Sequence, residues 1–479
     1  MTANEWLGVA YYGSIALGLA LGLVLVQGAV LALEHRYSRW TLAVVPAAIC
    51  LGIAVSTLLS RRDLRYAALD IGNLSGRPGD GGSVLRALTA MVLALCFAKI
   101  LSALMRHSRT PEPSPGGRHL LLSLLAFFVA THVLSAVFGT HPAFVHNSYY
   151  PIAVFAAFFM ARATSPEPII ESVKVSLLAL VFGSLLLAMA RPSLALQPDY
   201  AGLIPGLRVR LWGLGAHANA IGPLALVAAL LLHLRPFRSQ WLQYLAWAAI
   251  LAVLVLAQSK TAWAVALACA VLLAGYDRGR DDRGRLKPGY VLALLLATVA
   301  VVLVVIAGDV GRIVGKFAAS KAGGELATLT GRTTIWVEAW RAWMDNVWFG
   351  YGPEAWGSLH RAQVGMPVAF HAHNQLMQSV SSAGLFGGLT MLVYMAFMLV
   401  ASWRAARLTR GVSLALALAV LARVLTEAPL DVDGLFTAEV LIHLTWFALV
   451  LRPYAEGSRH ARNADSRLDM PALQARAEA

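Results

Sequence analysis

The chain has few charged residues, few cysteines and no nucleotide-binding glycine loop. Charged residues make up 13% of its 479 residues, whereas hydrophobic residues make up 58%. Cys50, Cys96 and Cys269 all lie in apolar runs, so the sequence predicts neither a disulfide framework nor a cysteine metal site. The lack of a P-loop motif argues against ATP-driven transport.

Apolar runs of about 20 residues recur along the chain, and each is long enough to cross a bilayer. The sequence therefore predicts an all-α polytopic membrane protein. The predicted spans are residues 9–33, 41–59, 84–105, 119–138, 149–163, 169–190, 213–234, 241–257, 260–276, 290–307, 379–402, 411–429 and 435–451.

The net charge of +14 is concentrated in short loops between the apolar runs. Because Lys and Arg favour cytoplasmic loops, this distribution indicates membrane topology and argues against a nucleic-acid partner. Anchoring residues 277–289 and 403–410 in the cytoplasm places a large polar loop, residues 308–378, on the outer side. By alternation, residues 139–148 and 191–212 also lie outside.

The number of N-terminal spans conflicts with the positive-inside rule. Thirteen spans would place loop 60–83, which carries Arg61, Arg62 and Arg65, on the outer side, and the positive-inside rule disfavours that. We therefore expect about 12 spans, with one early segment re-entrant or interfacial and both termini in the cytoplasm.

The topology divides the chain into four parts. Residues 1–204 form N-terminal transmembrane helices, and residues 205–402 form a core that includes the outer loop 308–378. Residues 403–452 form C-terminal transmembrane helices. Residues 453–479 are predicted to be a disordered cytoplasmic tail because they have mixed charge and few large apolar residues.

The outer loop contains three tryptophans at helical spacing, Trp336, Trp340 and Trp343. Thr333 or Thr334 is suited to cap the start of this helix. Because tryptophan favours the membrane–water boundary, we expect the helix to lie against membrane lipids of the outer leaflet. Packing of the tryptophans onto other helices is the alternative.

We single out five basic residues on the predicted outer side, where basic residues are uncommon. They are Arg191, Arg208, Arg210, Lys260 and Arg332. Arginine binds phosphate in a bidentate manner, and its planar group suits a pyrophosphate, so this set predicts an anion site. Snorkelling to lipid headgroups is the alternative for each one.

Histidines mark two outer helix ends. His371 and His373 precede span 379–402, and a histidine there is suited to act as a general base near neutral pH. No cysteine or acidic residue lies close to them in the sequence, so we predict no metal site. His217, in a glycine-rich segment before a span, is expected to be a structural hydrogen-bonding histidine. Glu427 could pair with an external arginine.

Several short motifs resemble the O-antigen ligase family, within the O-antigen ligase/polymerase superfamily, over roughly residues 205–400. Their order and spacing around one large outer loop make the resemblance specific for the superfamily. The motifs are Gly215-Ala-His217-Ala-Asn219-Ala-Ile-Gly222, Gln258-Ser259-Lys260-Thr261-Ala262-Trp263, Gly331-Arg332 with Trp336, Gly350-Tyr351-Gly352, and His373-Asn374 with Gly384-Leu-Phe-Gly387.

The resemblance implies a GT-C-like glycosyltransferase of the bacterial inner membrane whose active site faces the periplasm. Such an enzyme transfers O-antigen glycan from undecaprenyl pyrophosphate to a hydroxyl of the lipid A–core oligosaccharide. We expect direct displacement with inversion, and neither a cofactor nor a metal.

The resemblance also assigns site residues. The family's loop histidine maps to His373, and its loop arginine maps to Arg332. An earlier arginine maps to Arg210, with Arg208 adjacent, and Lys260 stands where the family often has arginine. Lys260 keeps the charge but loses the bidentate geometry. Residues expected to support the site are Asn374, His371, His217, Asn219 and Tyr351.

Other functions remain open at this stage. An O-antigen polymerase and a protein O-oligosaccharyltransferase are alternatives, because the choice of acceptor depends on the shape of the cavity. A lipid-linked glycan flippase would predict charged residues along the spans and an inverted repeat. The polar residues gather instead on one predicted side and no repeat is present, so transport is disfavoured.

Overall fold

The computed structural model describes residues 22–37, 40–66, 82–105, 115–161, 166–276, 287 and 329–451, without positions 23, 35, 61, 201, 203, 205, 367 and 368. The predicted span 290–307, the tail 453–479 and residues 308–328 of the outer loop lie outside the described residues. So does most of the predicted span 9–33.

The described chain is mostly helical, as expected for an all-α polytopic membrane protein. The helices are α1 (Val24–Glu34), α2 (Val44–Leu59), α3 (Ser83–Met105), α4 (Pro115–Phe128), α5 (Tyr150–Met160), α6 (Glu167–Ala190), α7 (Ala218–Leu234), α8 (Gln240–Ala257), α9 (Lys260–Tyr276), α10 (Leu329–Asp345), α11 (Ser358–Gln363), α12 (Gln375–Ala405), α13 (Val412–Arg423) and α14 (Ala438–Val450). A π-helical segment, Val129–Leu134, and a short helix, Ser135–Phe138, continue α4.

Six helical segments among the described residues are long and apolar enough to cross a membrane. They are Thr41–Leu59, Ser83–Met105, Gly117–Phe138, Glu167–Ala190, Gln240–Ala257 and Gln375–Ala405. Each agrees with a predicted span to within a few residues. A two-stranded antiparallel ribbon pairs β1 (Leu196–Gln197) with β2 (Arg210–Leu211) in the predicted outer segment 191–212.

A break in α12 explains the Gly384 and Gly350-Tyr-Gly352 motifs. Gly384 has φ +60°, and a Cβ there would lie 2.3 Å from the carbonyl carbon of Trp348. This close approach lets Tyr351 and Gly352 donate main-chain hydrogen bonds to the carbonyls of Ser381 and Ser382, at 2.8 and 3.1 Å. The turn is thereby fixed against the start of α12.

Three predicted helix boundaries need correction, and one of them is the start of α7, which lies at Ala218 and not at residue 213. Helix α10 begins at Leu329, so the predicted cap positions Thr333 and Thr334 lie within the helix. Helix α13 ends at Arg423 rather than at residue 429, which leaves Glu427 in a loop. The tryptophans of α10 have different environments. Trp336 packs on the protein and donates a hydrogen bond to the carbonyl of Ala372, whereas Trp340 is 50% exposed.

The start of loop 60–83 packs against the predicted outer segment 191–212. Arg62 is 7% exposed and contacts the chain around Trp212, on the side that the sequence assigns as outer. Its guanidinium donates hydrogen bonds of 2.7–3.0 Å to the main-chain carbonyls of Leu194, Gly213, Gly215 and Ala216. The carbonyl dipoles therefore stabilise the charge of Arg62. The positive-inside rule counts basic residues and does not include such a stabilisation.

Candidate active site

A cavity of about 410 Å³ opens where several helix ends meet. Its wall includes the start of α7, the start of α12, the end of α13 and the start of α14, together with the middle of the α4 segment. The alternation of predicted spans assigns the four helix ends to the outer side of the membrane. The histidines and charged residues in the wall are His132, His217, Arg361, His371, His373, Arg423, Glu427, Asp431, Asp433 and Glu439.

His373 and Glu427 form the central contact of the cavity. The Nδ1 atom of His373 lies 3.3 Å from Oε2 of Glu427, which is only 8% exposed. Burial by itself would raise the pKa of Glu427, but the hydrogen bond from His373 and nearby positive charge lower it below its ordinary value. The ionised carboxylate accepts the Nδ1 proton of His373. This leaves the Nε2 lone pair of that ring available to accept another proton.

His371 supports this pair in a neutral state. Its Nε2 lies 3.5 Å from Glu427 Oε2, and its Nδ1 accepts a hydrogen bond of 3.1 Å from the main-chain N–H of His373. The acceptor role of Nδ1 places the ring proton on Nε2. Burial lowers the pKa of His371 to about 4, so the ring is uncharged at neutral pH.

A chain of hydrogen bonds connects Arg210 to Glu427, the partner of His373. Arg210 donates to Asn219 Oδ1 at 2.8 Å and to the carbonyl of Ala257 at 3.1 Å. Asn219 in turn donates to Glu427 Oε1 at 3.0 Å. Both oxygens of Glu427 are therefore engaged, and Asn219 fixes the orientation in which the carboxylate faces His373.

His217 has the structural role that the sequence predicted, at the N-cap of α7. Its Nδ1 accepts the main-chain N–H of Asn219 at 3.1 Å, which satisfies one free donor at this helix start. Burial and the charge of Arg210 lower the pKa of His217 to about 3. A neutral ring therefore faces the cavity.

The predicted basic residues separate into two groups. Arg210 joins the cavity through Asn219, and the charge of Arg332 contributes to the lowered pKa of His371, so Arg332 lies near the site. Arg191 and Arg208 are exposed, and Lys260 begins α9. None of the five predicted basic residues is among the described residues of the cavity wall.

Two expected supporting residues act outside the cavity wall. Asn374 caps α12, because its Oδ1 accepts the main-chain N–H of Met377 at 3.1 Å. The Tyr351 ring lies between His141 and His360, at 4.1 Å from each ring centroid. Both residues therefore hold the backbone that carries the site.

Sequence reasoning missed two arginines in the cavity wall. Arg361 is 8% exposed, and its guanidinium lies 4.0 Å from the ring centroid of Phe370. Arg423 is 5% exposed and pairs with Glu439 at 3.2 Å. Arg423 falls inside the predicted span 411–429, and an ionisable residue within a span is itself a signal of function. Arg361 lies in the outer loop, where the same reasoning singled out Arg332.

The argument against a metal site also changes. The sequence shows no acidic residue close to His371 and His373, but folding brings Glu427 to them from 54 residues away. One ligand atom from each of these three residues lies within 4.8 Å of the others. In the tautomers described above, however, both histidines present N–H groups to Glu427 rather than lone pairs to a metal.

Arg62 anchors the glycine loop that leads into the site. Burial lowers its pKa to about 10, so Arg62 stays charged at neutral pH while its donors hold Gly213, Gly215 and Ala216. Gly213 has φ +55° and lies against Ser184, where a Cβ would come within 2.5 Å. The loop is thus built on one buried cation and ends directly at His217.

We expect Arg62→Met to destabilise the protein by about 3 kcal/mol, because the main-chain carbonyls lose charged donors without gaining water. Arg62→Lys should lose less stability than Arg62→Met, because the ammonium group keeps the charge and some of the hydrogen bonds to the carbonyls. Thermal midpoints in detergent would measure both changes. A wild-type midpoint for Arg62→Met would contradict the anchoring role.

The neutral histidines predict a loss of stability in acid. His371 and His217 have folded-state pKa values below the ordinary 6.5, so the unfolded chain binds protons that the folded chain does not. Stability should therefore fall as the pH is lowered from 7 to 5, a window above the ordinary carboxylate range. The thermal midpoint should drop by several degrees.

His371→Gln should reduce this drop in midpoint, because one of the rings with a lowered pKa is removed. His146→Gln is the matched control, since His146 is exposed. An equal midpoint at pH 7 and pH 5 for the wild-type protein would show that these rings are not held neutral.

Comparison with known families agrees with the motifs. A family model described as O-antigen ligase matches residues 244–392, from α8 to the middle of α12. The match includes Arg332, His371 and His373 but ends before Glu427. No curated protein matches the chain. The match supports an enzyme of the O-antigen ligase/polymerase type. As the motifs predicted, the chain carries a domain of the O-antigen ligase family over these residues.

Proposed function

We propose that the protein transfers O-antigen glycan from undecaprenyl pyrophosphate to a sugar hydroxyl of the lipid A–core oligosaccharide. The observation that carries the proposal is the contact between His373 and the buried Glu427 inside a cavity that also contains arginines. Such a site offers a proton acceptor for a hydroxyl and positive charge for a leaving phosphate.

The proton-transfer step uses the His373–Glu427 pair. Nε2 of His373 takes the proton of the acceptor hydroxyl while the hydroxyl oxygen bonds to the anomeric carbon of the donor. Glu427 holds Nδ1–H and stabilises the imidazolium that forms, as the carboxylate does in histidine-based hydrolases. Asn219 keeps Glu427 in place through its second oxygen.

Arginines assist the departure of the lipid pyrophosphate. As the bond from the anomeric carbon to the pyrophosphate oxygen breaks, the electron pair stays with the pyrophosphate and negative charge develops. Arg332 and Arg210 would stabilise this charge, and Arg361 and Arg423 in the cavity wall would add to the positive field. Lys260, Arg208 and Arg191 would guide the donor from outside the cavity. Direct displacement of this kind inverts the anomeric configuration.

We place the cavity at the periplasmic face of the inner membrane, in a GT-C-like arrangement of about 12 spans with the outer loop 308–378 in the periplasm. This orientation follows from the cytoplasmic assignment of the basic loops 277–289 and 403–410. Exposed Trp340 and Trp348, which are 50% and 57% exposed, would contact lipids at the outer surface near the donor's polyprenyl chain.

The acceptor is tested by offering three substrates together. Purified protein would receive undecaprenyl-pyrophosphate glycan, lipid A–core and a serine-rich periplasmic protein, and products would be identified by mass spectrometry. Glycan on lipid A–core supports the ligase function. Lengthened polyprenyl-linked glycan would identify a polymerase instead, and glycosylated serine would identify a protein O-oligosaccharyltransferase.

A further inference from the structure

We propose that His371, His373 and Glu427 also form a Zn²⁺ site, and that a bound zinc ion blocks the transfer reaction. The inhibitory effect rests on the function proposed above, whereas the binding of zinc does not. The three residues come from the segment before α12 and from the loop after α13, and they meet in the wall of one cavity.

The spacing of the ligand atoms fits tetrahedral zinc. His371 Nε2 and His373 Nδ1 lie 3.5 and 3.3 Å from Glu427 Oε2, and all three atoms lie within 4.8 Å of one another. Zinc bonds to histidine nitrogen and carboxylate oxygen are about 2.0–2.1 Å long, so neighbouring ligand atoms of a tetrahedral ion are about 3.3–3.4 Å apart. Small side-chain rotations would close the remaining edge.

The chemistry of the ligands selects zinc over the common hard cations. Two imidazole nitrogens and one carboxylate suit zinc and neighbouring transition metals, whereas Mg²⁺ and Ca²⁺ prefer oxygen ligands. The cavity of about 410 Å³ leaves space for a water molecule as the fourth ligand. The side chains of His371 and His373 are 31% and 29% exposed, so an ion can reach them.

Zinc binding and proton transfer need different protonation states of His373. The proposed base holds its proton on Nδ1 and accepts at Nε2. Zinc on Nδ1 would move the ring proton to Nε2, which could then no longer accept the proton of a hydroxyl. The ion would also occupy Glu427. Zinc therefore stabilises an inactive state by binding the residues that the reaction uses.

The site should be weaker than a structural zinc site. Zinc on Nε2 of His371 would place the ring proton on Nδ1, which would lose its hydrogen bond of 3.1 Å from the main-chain N–H of His373. Removal of the contact between Nδ1 of His373 and Glu427 adds to this cost. Inhibition should therefore be reversed by a chelator.

The test uses full-length protein in detergent after chelator treatment and buffer exchange. Isothermal titration with ZnCl₂ would give the dissociation constant, and transfer would then be measured at about ten times that concentration. Occupancy at this concentration leaves about a tenth of the protein free, so transfer should fall about tenfold and recover with EDTA. MgCl₂ at the same concentration should have no effect.

His371→Ala should weaken zinc binding by at least about tenfold, because one of three protein ligands is lost. His217→Ala is the matched control, since His217 faces the same cavity but lies outside the cluster. Glu427→Gln provides a second test if His371→Ala does not give a monodisperse protein.

Equal zinc affinity in the wild type and the cluster variants, or no binding to the wild type, would overturn the site. Zinc binding that depends on the cluster, with no transfer by zinc-free protein, would support the site and reject the proposed function. Zinc binding that leaves transfer unchanged would overturn the inhibitory role.

Discussion

His373→Ala is expected to reduce glycan transfer by about 10³-fold, within the range that general-base catalysis contributes. The substitution removes the Nε2 atom that accepts the hydroxyl proton, while Glu427 keeps its hydrogen bond from Asn219. The loss should therefore appear in kcat more than in KM for the donor. Initial rates of lipid A–core modification over a range of donor concentrations would measure it.

His146→Ala is the matched control for this variant. His146 lies in the loop between the α4 segment and α5, is exposed, and contacts only the edge of the Tyr150 ring among the interactions described. It should keep nearly wild-type activity. If His373→Ala gave a folded protein with wild-type kcat, another group would be the base.

Glu427→Gln is expected to reduce transfer by about 10²-fold, the lower end of the range for general-base catalysis, because His373 remains but loses the carboxylate that holds its Nδ1–H. The neutral amide can present N–H to Nδ1 of His373 and so favour the tautomer with the proton on Nε2. It also fails to stabilise the imidazolium. The effect should again fall on kcat, which would be measured with saturating donor and acceptor.

Glu427→Asp and Glu338→Gln complete this test. Aspartate keeps the charge but shortens the side chain, so it should retain more activity than glutamine does. Glu338 pairs with His360 and Arg341 outside the described cavity wall, and its substitution should change kcat little. Equal kcat for Glu427→Gln and the wild type would show that the carboxylate plays no part in the step.

Hydropathy predicted the long helices because the end of an apolar run is set by the cost of placing polar groups in lipid. Spans 41–59, 169–190 and 241–257 are accurate to within two residues for this reason. The predicted start at residue 213 failed because Gly213, with φ +55°, belongs to a loop held by Arg62. The hydrogen bonds from the buried guanidinium of Arg62 to four carbonyls produce no hydropathy pattern in the sequence, so they could not be predicted.

The candidate site was predictable in part. His373 and Arg332 could be found because they are polar residues in an outer loop that matches family motifs. Glu427 was considered only as a partner for an arginine, because its contact with His373 spans 54 residues and depends on where α13 ends. Arg361 and Arg423 were missed for the same physical reason: convergence of helix ends in space is not visible along the chain.

The central proposal is that His373 acts as the general base in the transfer of a lipid-linked glycan to lipid A–core. The most direct measurement mixes purified protein with undecaprenyl-pyrophosphate glycan and lipid A–core, in EDTA and without nucleotide, and follows the gel mobility of the lipid A–core band. We predict a shift with the wild type that is lost with His373→Ala. An unshifted band with folded wild-type protein, or an equal shift with the variant, would contradict the proposal.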